Sequence, residues 1–147
     1  LVKELEKFEA IIRKAANDYE PSVLARYSFQ DSRDFTSESS TIYGNMIPYV
    51  SRHSGSVTGE FSYGKWDSSI NYTITGKRWS TGAMIDDYLI HPWETCDVTL
   101  SRDFRNQDGR GLSAIINLNN ILGEQYEFVQ GYPMPGFNVM VGLRYDF

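Results

Sequence analysis

Two different hydrophobic periods divide the chain. Up to Tyr19, the apolar residues Leu1, Leu5, Phe8, Ile12, Ala15 or Ala16, and Tyr19 recur at helical spacing, with charged residues between them and Pro21 as a stop. This spacing predicts an amphipathic α-helix of about nineteen residues. After Ser22 the helical period disappears, and segments of period two, separated by turn-rich sequence, replace it. Strands are expected at roughly 23–31, 56–65, 69–79, 93–104, 110–119 and 137–147.

The expected strands are two-faced. Val57, Gly59, Phe61 and Tyr63 alternate with Thr58, Glu60 and Ser62; Ile70, Tyr72 and Ile74 alternate with Asn71, Thr73 and Thr75. Cys96, Val98, Leu100 and Phe104 oppose Asp97, Thr99, Ser101 and Asp103, and Leu112, Ala114, Ile116 and Leu118 oppose Ser113, Asn117 and Asn119, with Ile115 breaking the pattern. The last strand is the most regular. Phe137, Val139, Val141, Leu143, Tyr145 and Phe147 share one parity, and Asn138, Met140, Gly142, Arg144 and Asp146 share the other.

Loop lengths alternate as well: about two dozen residues, about three (Trp66 to Ser68), about thirteen, about five (NQDGR) and about seventeen. In an up-and-down antiparallel sheet this order places the long loops at one end and the tight turns at the other, as outer-membrane barrels do. The expected fold class is therefore mainly β: an antiparallel up-and-down meander of about six strands, a partial outer-membrane β-barrel, with one N-terminal amphipathic α-helix. A soluble β-sandwich shares the alternation, so the pattern alone leaves both readings open.

Composition changes the picture in three places. A net charge of −5 offers no basic footprint and argues against nucleic acid as a partner. The single cysteine, Cys96, cannot form an internal disulfide. Ten tyrosines and an aromatic content of 14% suit a membrane reading, because Tyr27, Tyr63, Trp66, Trp79 and Tyr145 near strand ends would place amphipathic rings at the two interfaces. There is no run of about eighteen apolar residues, but a spanning strand needs only about ten, half of them apolar. The start at Leu1, without a secretory pattern, reads as a fragment or a processed product.

Little in the sequence suggests catalysis. Asp86 and Asp87 sit in an expected long loop with no histidine or lysine placed to tune them. His53, His91 and Cys96 lack metal-ligand spacing. Asn106, Asp108, Gly109 and Gly111 read more simply as a tight turn than as a calcium loop. The sequon at Asn71 lies within a strand, and the helix charges Lys3, Lys7, Arg13 and Lys14 interleave with Glu4, Glu6 and Glu9 as on a solvated face. No enzymatic activity, cofactor or metal is expected.

Five segments carry a resemblance. YSFQDSRD (27–34), IPYVSRHSGS (47–56), INYTITGKRW (70–79), INLNNILGEQYEFVQGYPMPG (116–136) and the terminal LRYDF together resemble the C-terminal strands of TonB-dependent outer-membrane receptors, over residues 24–147. That family forms large plugged barrels of about 22 strands that import siderophores, cobalamin or glycans. The resemblance implies a bacterial outer-membrane location, outer-membrane lipid and the barrel-assembly machinery as partners, and a siderophore, cobalamin or glycan as the ligand of the parent receptor. It also implies that Phe137, Val139, Val141, Leu143, Tyr145 and Phe147 form the membrane-facing assembly strand. Ligand contacts would come from the long loops at 32–55, 80–92 and 120–136.

A second resemblance covers residues 1–27. LEKFEAIIRKAANDYEPSVLARY (5–27) is similar to part of the anticodon-binding helical domain of arginyl-tRNA synthetases, and the similarity stops where SFQDSRD replaces its continuation. The expected organisation is thus a chimera, with a helix at 1–22 and a barrel segment at 23–147. The function expected first is that of a non-catalytic terminal fragment of a TonB-dependent receptor. The alternatives are a tRNA-binding synthetase remnant and a soluble β-rich binding module with a helical cap.

Overall fold

The structure is a computed structural model that describes residues 19–104 and 111–147. In chain order its strands are β1 (Tyr19–Phe29), β2 (His53–Tyr63), β3 (Trp66–Thr75), β4 (Arg78–Trp79), β5 (Leu89–Ile90), β6 (Trp93–Asp103), β7 (Gly111–Asn119), β8 (Glu127–Val129), β9 (Tyr132–Pro133) and β10 (Asn138–Asp146). Six of them form one antiparallel sheet in the order β1-β2-β3-β6-β7-β10, and β4-β5 and β8-β9 form two small pairs within the long loops. Every sheet neighbour is thus the next long strand along the chain, as in an up-and-down meander.

The expected N-terminal helix is not borne out. Residues 1–18 lie outside the described residues, but Tyr19 to Ser22, given to the helical segment by its spacing, belong to β1. The reason is pairing: Tyr19 to Ser22 lie opposite Tyr63 to Glu60 of β2, so a tertiary partner overrides the local period. Pro21 is tolerated because β1 is an edge strand, where a missing N–H need not break the ladder. Among the described residues the only helical piece is a single 3₁₀ turn at Asp86–Tyr88. No helix among them is long and apolar enough to cross a membrane.

Other boundaries shift for related reasons. The strand expected at 69–79 starts at Trp66 and ends at Thr75. Its turn shortens to Gly64 and Lys65, with Gly64 at φ 59, where a Cβ would be strained. The expected NQDGR turn falls largely outside the described residues.

Register sorts the side chains onto two faces. Val57 lies opposite both Ala25 and Tyr72, Ile70 opposite Gly59 and Val98, Leu118 opposite Val98 and Val139, and Ile116 opposite Leu100 and Val141. Partners across a ladder share a face, so the apolar residues of all six strands form one continuous surface. The opposite face is polar and is laced by hydrogen bonds from Thr58 to Asn71 (2.9 Å), from Thr99 to Asn117 (2.9 Å) and from Asn119 to Asn138 (2.9 Å). Ile115, like Leu24 and Met140 an exception to the alternation, lies on this polar face opposite Gly142. A Cβ at position 142 would come within 2.8 Å of Ile115 Cγ2, so the glycine is what makes room for the isoleucine.

The core is not under the sheet. The buried apolar residues among those described are Met46, Ile90, Trp93 and Cys96, all at or near the long-loop end, while Ile70 in mid-sheet is 50% exposed. Of these, only Cys96 is placed on the apolar face by its register, and Val57, Ile70, Leu100, Ile116 and Val141 of that face are exposed.

Candidate functional site

The first candidate site is that uncovered face. Val139, Val141, Leu143 and Tyr145 lie on it, opposite Leu118, Ile116, Ala114 and Leu112, and all four are exposed. Phe137 precedes β10 and Phe147 follows it; Phe147 touches Tyr145 edge-on at 5.0 Å and is 97% exposed. An eleven-residue strand such as β2 would rise about 28 Å at the tilt of about 40° usual in membrane barrels, close to their ~25 Å apolar band.

Aromatic rings mark both rims of the face. At the tight-turn end stand Tyr63, Trp66, Phe104, Tyr145 and Phe147, and the Arg102 guanidinium lies 4.7 Å over the rings of both Trp66 and Phe104. At the loop end the Tyr27 hydroxyl meets His53 Nδ1 at 2.7 Å, Phe29 packs against the same imidazole at 5.2 Å, and the Tyr72 hydroxyl donates to Glu94. Rings with polar tips or charged neighbours at two levels, and aliphatic residues between, form the pattern that suits two membrane interfaces.

The second candidate is the loop assembly. Loop 76–92 joins loop 120–137 where Arg78 Nη2 donates to the Glu127 carbonyl (2.8 Å), Gln130 Nε2 donates to the Asp87 carbonyl (2.8 Å), and the Ser80 hydroxyl meets Gln130. Loop 30–52 joins it where Asn45 donates to the Gly82 carbonyl (2.8 Å) and the Tyr49 N–H to the Trp79 carbonyl (2.7 Å). Trp93 stands on the polar face at the end of β6, with Tyr126 at 4.4 Å and Phe128 at 5.3 Å. Loop 120–137 therefore folds over the polar face of the sheet.

Three residues that sequence reasoning missed hold this assembly. Asn120, 3% exposed and left-handed at φ 49, donates its N–H to Asp97 (2.8 Å), its side-chain amide N–H to the Glu124 carbonyl (2.8 Å), and accepts from the Glu124 N–H (3.0 Å). Asparagine suits a left-handed position with local backbone partners, and the Asn119-Asn120 pair at the end of β7 was the available signal. Arg78 is buried at 3% exposed, and that burial pushes its guanidinium pKa down. Trp93 is the third. Nothing local marks either residue as buried, because their neighbours come from about fifty and thirty positions further along.

The other sequence candidates do not converge. Asp86 and Asp87 sit in the 3₁₀ turn, His53 is at the rim of the apolar face, His91 is exposed in the loop, and Cys96 is buried in β6. The Asn71 side chain is engaged with Thr58 and Thr73 on the polar face. Asn106, Asp108 and Gly109 lie outside the described residues.

A basic cluster stands beside His53. Asp31 accepts from Arg33 Nε (3.1 Å) and from Arg52 Nη2 (2.8 Å), and these hydrogen bonds, Arg52 first, hold its carboxyl below the ordinary aspartate range. A depressed carboxylate pKa contributes stability above the unfolded-state value and loses it as pH falls through the folded one. Acidification through the range below the ordinary value near 3.8 should therefore loosen loop 30–52. The amide of Asp34, which bonds the Asn45 carbonyl, is the reporter: its hydrogen-exchange protection should fall there, and protection that persists in Asp31→Asn at neutral pH would refute the role.

No protein-family model matches the chain, and no curated protein matches it.

Proposed function

We propose that this chain is a terminal segment of an outer-membrane transport barrel of the TonB-dependent receptor type, non-catalytic and unable to transport alone. The observation that carries the reading is the continuous apolar face of a six-stranded meander, exposed between two aromatic rims, with all the described long loops at one end. A water-soluble protein rarely leaves so large an apolar surface open, whereas in lipid that surface is solvated by acyl chains. Among the described residues the two edge strands, β1 and β10, have a neighbour on one side only, which is unstable in lipid and favours pairing with further strands of a larger closed barrel.

The rest of the reading follows the resemblance. β10 with Phe147 acts as the strand recognised by the barrel-assembly machinery, and Phe147 is free to be read because almost all of it is exposed. The loop assembly faces outside and belongs to the ligand-contacting side of the parent receptor, whose cargo is a siderophore, cobalamin or glycan.

Carbonate washing of membranes from cells that express the chain tests this. The chain should stay in the pellet. Recovery as a soluble monomer with one cooperative melting transition would sink the proposal.

A further inference from the structure

The chain is acidic overall, yet three of its cations gather at one cavity. Arg33, Arg52, Lys77, His53 and Trp79 line a space of about 280 Å³ at the loop end of β2 and β3. Asp31 is hydrogen-bonded to both arginines, so three cations and one carboxylate leave two formal positive charges (3 − 1 = 2). The donors are only partly used. Arg33 commits Nε to Asp31 and Nη1 to the Gly44 carbonyl (3.0 Å), Arg52 commits Nε and Nη2 to Asp31, and Lys77 Nζ rests 5.5 Å above the Trp79 ring. Arg33 Nη2, Arg52 Nη1 and Lys77 Nζ have no hydrogen-bond partner among the described residues.

We infer that this cavity is an anion site for a phosphate monoester. A carboxylate can accept from all three donor groups, as Asp31 does from the arginines, but brings a single charge; a phosphate monoester offers three terminal oxygens and a double charge that matches the surplus. Asp31 acts as a positioning residue: by holding both guanidinium groups from one side, it lowers the ordering cost of binding. The cavity opens beside His53, whose ring carries Phe29 and Tyr27 of the apolar face, so the phosphate ester can come from solution or from a lipid headgroup.

The inference does not depend on membrane insertion, because a chain that stays soluble can still bind the soluble probe. The full chain in detergent micelles is titrated calorimetrically with glycerol phosphate, and floated with phosphatidylcholine vesicles with and without phosphatidic acid. Lys77→Gln and Arg52→Gln should each weaken binding about tenfold, the loss of one charge-assisted hydrogen bond. Lys77→Gln removes no side-chain hydrogen bond among the described residues, so it tests the site even where Arg52→Gln loosens the loop. Glycerol phosphate binding lost in the variants assigns a soluble ester, and phosphatidic acid preference alone, lost in the same variants, assigns a headgroup. Binding of neither probe, or binding that survives both substitutions, overturns the inference.

Discussion

Val141→Arg should cost about 2–4 kcal/mol of membrane partitioning, and Met140→Arg less than about 1 kcal/mol, although the two residues are adjacent and both exposed. Val141 lies opposite Ile116 on the apolar face, next to the middle of β10, so in the proposed outer-membrane arrangement an arginine there would stand in hydrocarbon. Met140 lies opposite Asn117 on the polar face, where an arginine stays hydrated. A soluble sheet with both faces in water gives no reason for a difference between the two positions. The measurement is the vesicle-to-water partition of each variant by flotation, and equal losses at both positions would remove the argument for a lipid-facing surface.

Trp93→Ala should open the loop assembly at a cost of about 3–5 kcal/mol, the range for deleting a large buried aromatic. The indole is 8% exposed and holds Tyr126 at 4.4 Å and Phe128 edge-on at 5.3 Å, so its removal empties the centre of the aromatic cluster. The effect should be local, because Trp93 is only the last pair of the β3-β6 ladder, opposite Thr75, and its partners Tyr126 and Phe128 come from the loop. Hydrogen exchange should show lost protection at the Met134 amide, which bonds the Tyr126 carbonyl, with the β2-β3 ladder unchanged. Full protection at Met134, or collapse of β2-β3 as well, would contradict a separate loop core.

The two predictions probe parts of the molecule that differ in how far local sequence reveals them. Period-two alternation is a local property, and it placed all six long strands and the apolar parity of β10 within a few residues of where they lie. The alternation of loop lengths was equally readable, because it follows from strand positions. Helical spacing over residues 1–22 misjudged Tyr19 to Ser22, since the pull of β2 on β1 comes from about forty residues away. The pairs β4-β5 and β8-β9 are too short for any period to show, and Arg78, Trp93 and Asn120 looked like ordinary loop and strand-end residues.

The basic cavity shows the same division. Arg33, Arg52 and Lys77 are spread over forty-five positions of an acidic chain, where no spacing rule connects them. They meet because the register of β1, β2 and β3 brings the ends of three strands, and the loops that leave them, to one corner.

By itself, then, the sequence determined the strands, the two-faced character of the sheet and the end at which the long loops gather, since each depends on neighbours only two residues apart. Which face stays uncovered, where the small core sits, and which distant cations share a cavity were decided by tertiary structure. Those properties depend on register and loop packing, and these are set by contacts between residues far apart along the chain.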